Sequence, residues 1–439
     1  MAPDDAVRGR AQADRRRHCP TPRGAPRRGD QRGVPDVSPP AGVPPRTRAA
    51  VLIAAHNEYP TIAATIESVL AAYAPQDVFV FDDASTDGTA DLVERYLPSS
   101  NVIRHPINVG KSRGLEYALT HVVYPAAYEF VTILDADTTM EPEYRGRALT
   151  ALADERVACA AGQVKSRPDN NLISVYRACL YFIWQALFKR LQSAFDAIAI
   201  APGCSSTWRV SALRQVRFDH RMSTEDFHLS IATHRQHLGR IKYVAGAVVW
   251  TQDPHTVRAF LRQTYRWDRA WWEVVRAHRV GLLWVRRGPR GGLSMSGLDI
   301  VNALVILSML VFFLRLTALL VLLALPVEPP AMLYPGGRES LPLHLGMQTA
   351  LMIAAVMVAA IATGRLWMVA LAPAIVGLML LEFLNSLRAL ASVIRHTFPR
   401  RPSDDGSSAW VSPDRLAIAS ARRAPRVGAA GEASRGNAA

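Results

Sequence analysis

Four strand-length apolar runs, separated by stretches of helical spacing, constrain this chain more than any other feature. They are Ala50-Val51-Leu52-Ile53-Ala54-Ala55, Val78-Phe79-Val80-Phe81, the short Val102-Ile103, and Phe130-Val131-Thr132-Ile133-Leu134. After the first run Pro60 can open a helix, with Ile62, Ile66, Val69 and Leu70 on one face; Lys111 to Val123 reads as another helix. Runs that are apolar on both faces and alternate with helices predict an α/β fold with a mostly parallel sheet and right-handed crossovers. Val157 to Gly162 and Ile241 to Trp250 add further strands. In such sheets ligands bind at the carboxyl ends of the strands. The polar clusters fall there: His56-Asn57-Glu58 after the first run, Asp82-Asp83 after the second, and Asp135-Ala136-Asp137 after the fourth.

Taken singly, each cluster has an ordinary explanation. Asp87-Gly88-Thr89 is a turn and a cap. Thr224 before Glu225-Asp226 reads as an N-cap followed by carboxylates in a first helical turn. Together they suggest chemistry. The turn at Ala54-Ala55-His56-Asn57-Glu58 offers backbone N–H groups and a carboxylate. Asp135 and Asp137 supply the hard oxygen ligands that magnesium or manganese takes, one or two at a time, alongside substrate phosphates. Two carboxylates at the end of a buried strand also need positive charge beside them. Gln263, Arg266 and Trp267, at i, i+3 and i+4, share one helix face. Arginine offers a bidentate fork to phosphate, and an indole face can stack on a sugar ring. His228, His234 and His237 match no zinc-ligand spacing and read as structural.

In order along the chain, Asp82-Asp83-Ala84-Ser85-Thr86-Asp87-Gly88-Thr89, Asn108-Val109-Gly110-Lys111, Asp135-Ala136-Asp137, Thr224-Glu225-Asp226 and Gln263-Thr264-Tyr265-Arg266-Trp267 resemble the motifs of the processive family 2 glycosyltransferases. These are the cellulose, chitin, hyaluronan and poly-N-acetylglucosamine synthases. The resemblance spans about residues 50–275 and implies a GT-A (Rossmann-like) catalytic domain that inverts at the anomeric carbon. It implies that Asp226, with Glu225 beside it, is the general base. It assigns Ala55, Asn57, Glu58, Asp82, Asp83, Lys111, Asp135 and Arg266 to the UDP-sugar donor. Gln263, Trp267, Gly203 and Cys204 fall to the glycan acceptor, and Asp135 and Asp137 to a divalent metal, magnesium or manganese. Asp268-Arg269-Ala270 departs from the Ala-Arg-Gly expected after Arg-Trp, and residues 1–48 hold none of the transmembrane helices that many members place before this domain. The rival activity is transfer of one sugar to a polyprenyl phosphate or another lipid. A non-catalytic membrane scaffold is a third reading, against which the intact acidic set argues.

Hydropathy divides the chain. Residues 49–255 form the expected catalytic domain, with Asn170 to Phe195 an unusually apolar helix suited either to the core or to a membrane face and Pro202 to Ser206 a loop. Residues 256–292 mix Trp271, Trp272 and Trp284 with arginines, as interfacial helices do. Leu298–Leu325, Leu343–Thr363 and Leu366–Leu390, within a 298–394 region, are each long enough to cross a ~30 Å hydrocarbon layer. Arg315 interrupts the first and Pro373 the third; Glu382 and Asn385, late in the third, are expected to face protein or water. Three C-terminal transmembrane helices are therefore expected. The catalytic domain would be cytosolic at the plasma (inner) membrane, and loop 326–342 external. Residues 1–48 and 395–439, rich in Arg, Pro, Ser and Gly, are expected to be disordered tails without a secretory signal. The net charge of +14 comes without any nucleic-acid-binding motif, which ranks the lipid bilayer and an anionic substrate above nucleic acid as partners. Four widely spaced cysteines suggest a reducing compartment. A secretion partner is left open.

Overall fold

The computed structural model describes residues 48–167, 171–278, 318–362 and 366–397, with a few positions between 286 and 315 and Gly364. Apart from Arg48 and residues 395–397, the expected tails lie outside the described residues, as do half of the first apolar segment and Trp284. Strands β1 (Ala49–Ala55) and β2 (Val78–Asp83) are buried at every position, as the continuous apolar runs require. With β3 (Val102–His105), β4 (Phe130–Asp135), β5 (Thr139–Met140), β6 (Val157–Ser166), β7 (Ser206–Arg209) and β8 (Arg240–Thr251) they form one eight-stranded sheet in the order β3-β2-β1-β4-β7-β6-β8-β5.

The expectation of a mostly parallel sheet holds for six of the eight strands, with β5 and β7 reversed. β3, β2, β1 and β4 run parallel, and so do β6 and β8, but β7 lies antiparallel between β4 and β6, and β5 is antiparallel to β8. The sheet is mixed. β7 begins at Ser206, which the sequence reading left in a loop; its Ser206-Thr207-Trp208-Arg209 has no apolar run to betray a strand, and its pairing comes from neighbours distant in sequence.

Helices cover both faces. On one, α1 (Tyr59–Leu70) and α4 (Tyr144–Leu152) pack Ile62, Ile66, Val69 and Leu149 against Val51, Ile53 and Val80. On the other, α3 (Lys111–Ala118) and α8 (Glu225–Arg235) bring Leu115, Leu229 and Ala232 to Leu52, Phe81 and Trp208. The parallel register sets Ala55 opposite Asp82 and Ala54 opposite Asp135, so the two acidic strand ends flank the end of β1.

A third cluster lies beyond the sheet. α5 (Leu172–Ile183) and α9 (Val257–His278) pack against two C-terminal helices, α10 (Leu341–Ala362) and α11 (Ala372–Thr397), through Val175, Cys179, Phe260, Val356, Ala360, Ile375 and Leu378. The Asn170 to Phe195 segment is helical from Leu172 to Ala194, with a π-helical stretch over Trp184–Lys189. Pro373 does not interrupt its segment. It lies in the first turn of α11, where proline is tolerated, after a 3₁₀ helix over Leu366–Leu371. Among the described residues, one helical stretch, Gly337–Ala362, is long and apolar enough to cross a membrane.

Candidate active site

The turn after β1 carries Asn57 in the left-handed region (φ 54°), a conformation asparagine tolerates. Its N–H donates to Ser85 Oγ at 2.9 Å, and its Oδ1 accepts from Thr86 N–H at 2.8 Å. His56 lies 2.6 Å from the Asp83 carbonyl through Nδ1. A carbonyl only accepts, so Nδ1 carries a proton, and Nε2 lies 3.2 Å from each of the Asn57 and Asn108 amide nitrogens. Glu58 is buried; its N–H donates to Thr89 Oγ1 and its carboxylate accepts from Thr61 Oγ1. The loops after β1, β2 and β3 are thereby tied into one surface.

The two acids of β2 are used differently. Asp83 is fully buried, and its two oxygens accept the N–H groups of Val109 and Gly110 at 2.7 and 2.8 Å, which fixes the loop ahead of Lys111. Asp82 accepts a weak bond from Ser85 N–H through Oδ2, while its buried Oδ1 has no hydrogen-bond partner among the described residues. Burial raises its pKa, and the bonds from Ser85 only partly offset that. An orphaned buried acceptor at a strand's carboxyl end is a place for a ligand's N–H or O–H.

Lys111 joins the two halves of the site. Its Nζ is 2.6 Å from Asp135 Oδ1 and 2.8 Å from Glu225 Oε1. Burial alone would depress the ammonium's pKa, but the two carboxylates outweigh it and hold it well above its ordinary value. The neighbouring Asp137 is buried, and Thr65 Oγ1 pins the turn between the two acids by donating to Ala136 O at 2.8 Å. Asp135 and Asp137 are two carboxylates at one turn, a donor set that fits a divalent cation sharing its remaining positions with phosphate and water.

Thr224 occupies the N-cap of α8 in extended geometry, but its side chain makes no cap bond. Asp226 instead accepts the N–H of Phe227 at 2.8 Å through Oδ1 and that of Gly203 at 3.0 Å through Oδ2. Gly203 is closely surrounded: a Cβ there would lie 3.2 Å from both Glu225 Oε1 and Lys111 Nζ, and 3.3 Å from Asp226 Cβ, tight contacts that need those side chains to give slightly. Burial and the adjacent Glu225 carboxylate raise the Asp226 pKa; Lys111 and the two N–H groups pull it down. Cys204, the next residue, has its thiol pKa pushed well up by burial and by Asp135 and Asp137.

Helix α9 brings its motif in by two faces. Gln263 and Trp267 turn toward α5, where Arg177 donates to Gln263 Oε1 at 3.1 Å and lies 4.6 Å from the Trp267 ring centroid. Arg266 is exposed. Trp271, expected near lipid, instead stacks on Phe227 of α8 with ring centroids 4.8 Å apart, because α9 and α8 pack together around Val274. Ser223 is also anchored to α9 by two bonds to Glu273.

Two residues at the site were missed in the sequence. Lys189, half-buried near Cys204 and Asp226, has its pKa lowered by desolvation to about 8. Arg177 is 1% exposed. It carries no motif; the available signal was one arginine within the otherwise apolar Ile173–Leu180 stretch. Of the three histidines, His228 meets His278 and the Arg217 carbonyl, and His234 meets the Ile198 carbonyl.

Residues 50–217 match the family model described as "Glycosyl transferase family 2". Over that stretch the chain is similar to family 2 glycosyltransferases. Poly-beta-1,6-N-acetyl-D-glucosamine synthase of Staphylococcus aureus (strain COL) is 27% identical to this chain over 241 residues, 54% of this chain and 58% of that protein. The synthase of Staphylococcus epidermidis is 27% identical over 227 residues, 51% of this chain and 54% of its own. The chain thus spans little more than half the length of these curated relatives. Among solved structures, a mannosyltransferase from Pyrobaculum calidifontis, in complex with GDP-Man and Mn2+, aligns with a TM-score of 0.48 and 19% identity, covering 81% of this chain and 88% of that one.

Proposed function

We propose that this protein is a membrane-bound, inverting glycosyltransferase that moves a sugar, glucose or N-acetylglucosamine, from UDP to the hydroxyl of a growing β-glycan. The observation that carries the reading is the Lys111 bridge. One ammonium holds Asp135, at the end of a sheet strand, beside Glu225, and Glu225 adjoins Asp226 on α8. A donor at the strand ends and an acceptor at α8 would then meet over this bridge. The likeness to poly-beta-1,6-N-acetyl-D-glucosamine synthases supports the choice of donor and product class.

Each residue's part follows from its surroundings. Asp82 Oδ1 offers its free lone pairs to an N–H of the nucleobase, in a surface built by the His56, Asn57 and Asn108 contacts. Lys111 places positive charge where the diphosphate would approach Asp135. A divalent ion, held by Asp135 and Asp137, would neutralise charge on the leaving diphosphate. Asp226 takes the acceptor's proton. Its two N–H bonds fix the carboxylate's direction, and each oxygen keeps a lone pair for that proton. Trp267 provides an aromatic platform for the terminal acceptor sugar, and exposed Arg266 is available to the departing UDP.

The C-terminal helices support a bilayer location. Leu343, Met347, Leu351, Val358 and Ile361 of α10 are exposed, a continuous apolar surface that water does not favour. Glu382 and Asn385 of α11 turn inward to Tyr176 and Thr264, leaving the polar groups in protein rather than lipid.

The test is UDP release and product mass spectrometry with membranes holding the full chain, a panel of UDP-sugars and divalent metal. The expected result is turnover with UDP-N-acetylglucosamine or UDP-glucose and products several sugars long. A single sugar on a lipid phosphate would replace the polymer reading, and no turnover with any donor would remove it.

A further inference from the structure

Arg177 is a guanidinium with 1% exposure, seated between the glycosyltransferase domain and the C-terminal helices, and the proposed chemistry does not use it. A buried charge is tolerated only where partners compensate it. Here they come from α9, α11 and the stretch between β8 and α9. Gln263 of α9 accepts from Nη2 at 3.1 Å, and the faces of Trp267 and Phe260 lie 4.6 and 5.0 Å from Cζ. Glu382 of α11 stands 3.9 Å from Nη1 and also takes the Tyr176 hydroxyl proton in a hydrogen bond. Asp253 adds a second carboxylate to the field around Arg177. Close by, Asn385 donates to Leu261 O at 2.9 Å and Thr264 Oγ1 at 2.8 Å, and Arg388 lies over the Tyr265 ring at 4.6 Å. The polar residues of α11 thus fall on the turn of α9 that carries Gln263 and Trp267.

We propose that Arg177 and Glu382 are positioning residues for the acceptor: Glu382 of the C-terminal helix holds Arg177, and Arg177 sets the Gln263 amide and the Trp267 ring on which the acceptor sugar rests. This builds on the acceptor role proposed for Trp267. Its consequence is that α11 completes the catalytic site as well as anchoring it. A guanidinium on the inner face of the indole fixes the ring plane by cation–π attraction, and that attraction is stronger for a desolvated pair. Losing the ring's orientation reduces acceptor alignment and leaves the donor surface at β1, β2 and β4 untouched.

The experiment uses the full chain in membranes or detergent. UDP release in water alone, donor KM, and transfer to glycan acceptor are measured for wild type, Glu382→Gln, Glu382→Asp, Arg177→Lys and the double variant Arg177→Met/Glu382→Leu. Glu382→Gln is expected to lose about tenfold or more in transfer, with donor KM and hydrolysis to water within about threefold of wild type, and Glu382→Asp to recover part of the loss. The double variant removes the guanidinium together with the Glu382 carboxylate facing it, so it separates positioning from the cost of a broken pair. It is expected to keep hydrolysis and still fail in transfer, because nothing orients Trp267. Recovery of transfer in the double variant would reduce the pair to a structural one, and so would loss of hydrolysis and transfer in equal proportion in Glu382→Gln and Arg177→Lys. Normal transfer by Glu382→Gln would remove the proposal outright. If wild type adds only one sugar, the polymer reading falls, yet the ratio of transfer to hydrolysis still decides this inference.

Discussion

The proposed donor side and the proposed acceptor side of this site are built in different ways. The donor side is the end of a sheet. Its acids stand on the parallel strands β2 and β4, in fixed register on either side of β1, and the loops are stitched by side-chain-to-backbone bonds such as those from Val109 and Gly110 N–H to Asp83. The acceptor side is a convergence of α5, α8, α9 and α11, held by side chains distant in sequence: Arg177 to Gln263, Phe227 to Trp271, Asn385 to Thr264. Sheet ends are rigid and cooperative; helix convergences can shift while each helix stays intact. Substitutions on the two sides should therefore fail differently, the first through nucleotide binding and the second through transfer.

The largest expected effect lies at the junction. Asp226→Asn should lower transfer by about 10²–10⁴-fold, the range of a lost general base, while UDP binding by calorimetry remains near wild type. Equal loss of UDP binding would move Asp226 to the donor side and erase the distinction.

On the donor side, Asp137→Asn should weaken nucleotide binding and turnover together, by about 10²-fold if metal binding is lost. EDTA should do the same to the wild type, and added magnesium or manganese should reverse it. Full activity in excess chelator would leave Asp135 and Asp137 to Lys111 and the fold alone.

Trp267→Ala should act in the opposite sense, with product length collapsing and transfer falling about tenfold or more while donor hydrolysis and UDP affinity persist. Products of unchanged length would sever the indole from the acceptor.

The same contrast governs what could be read from the sequence. The donor side was legible because a strand buried on both faces announces itself as an apolar run, and the residue after the run lies at the sheet's edge. Asp82 and Asp135 are legible that way, whereas Lys111 is marked only by the resemblance of Asn108-Val109-Gly110-Lys111 to a family motif. The antiparallel β7 is not legible, since Ser206-Thr207-Trp208-Arg209 gains its place only by pairing with β4 and β6. Trp271 looked like an interfacial anchor because tryptophan beside arginine suits lipid and a protein face equally; only the packing of α9 on α8 decides. Arg177 carries no local signature, and its partners lie 86 and 205 positions away. The inward turn of Glu382 and Asn385 was foreseeable from the cost of charge in hydrocarbon, although their partners were not.

A smaller and more local effect can sharpen the comparison where the two sides meet. Asp226 must be ionised to take a proton, so kcat/KM should fall as pH drops through its pKa. Burial and Glu225 raise that pKa above the ordinary 3.8, which places the acid limb of the profile above that value. Lys111 works against both, because an ammonium favours the neighbouring carboxylate's ionised form. Lys111→Met should therefore move the acid limb to higher pH, besides weakening the donor by loss of charge at Asp135. The two consequences are separable. Saturating donor restores occupancy but cannot move a proton affinity, so the displaced limb should persist in kcat at high donor concentration. A limb that stays in place, or moves to lower pH, would mean that Lys111 serves the donor alone and that the ammonium between Asp135 and Glu225 does not couple the two halves of the site.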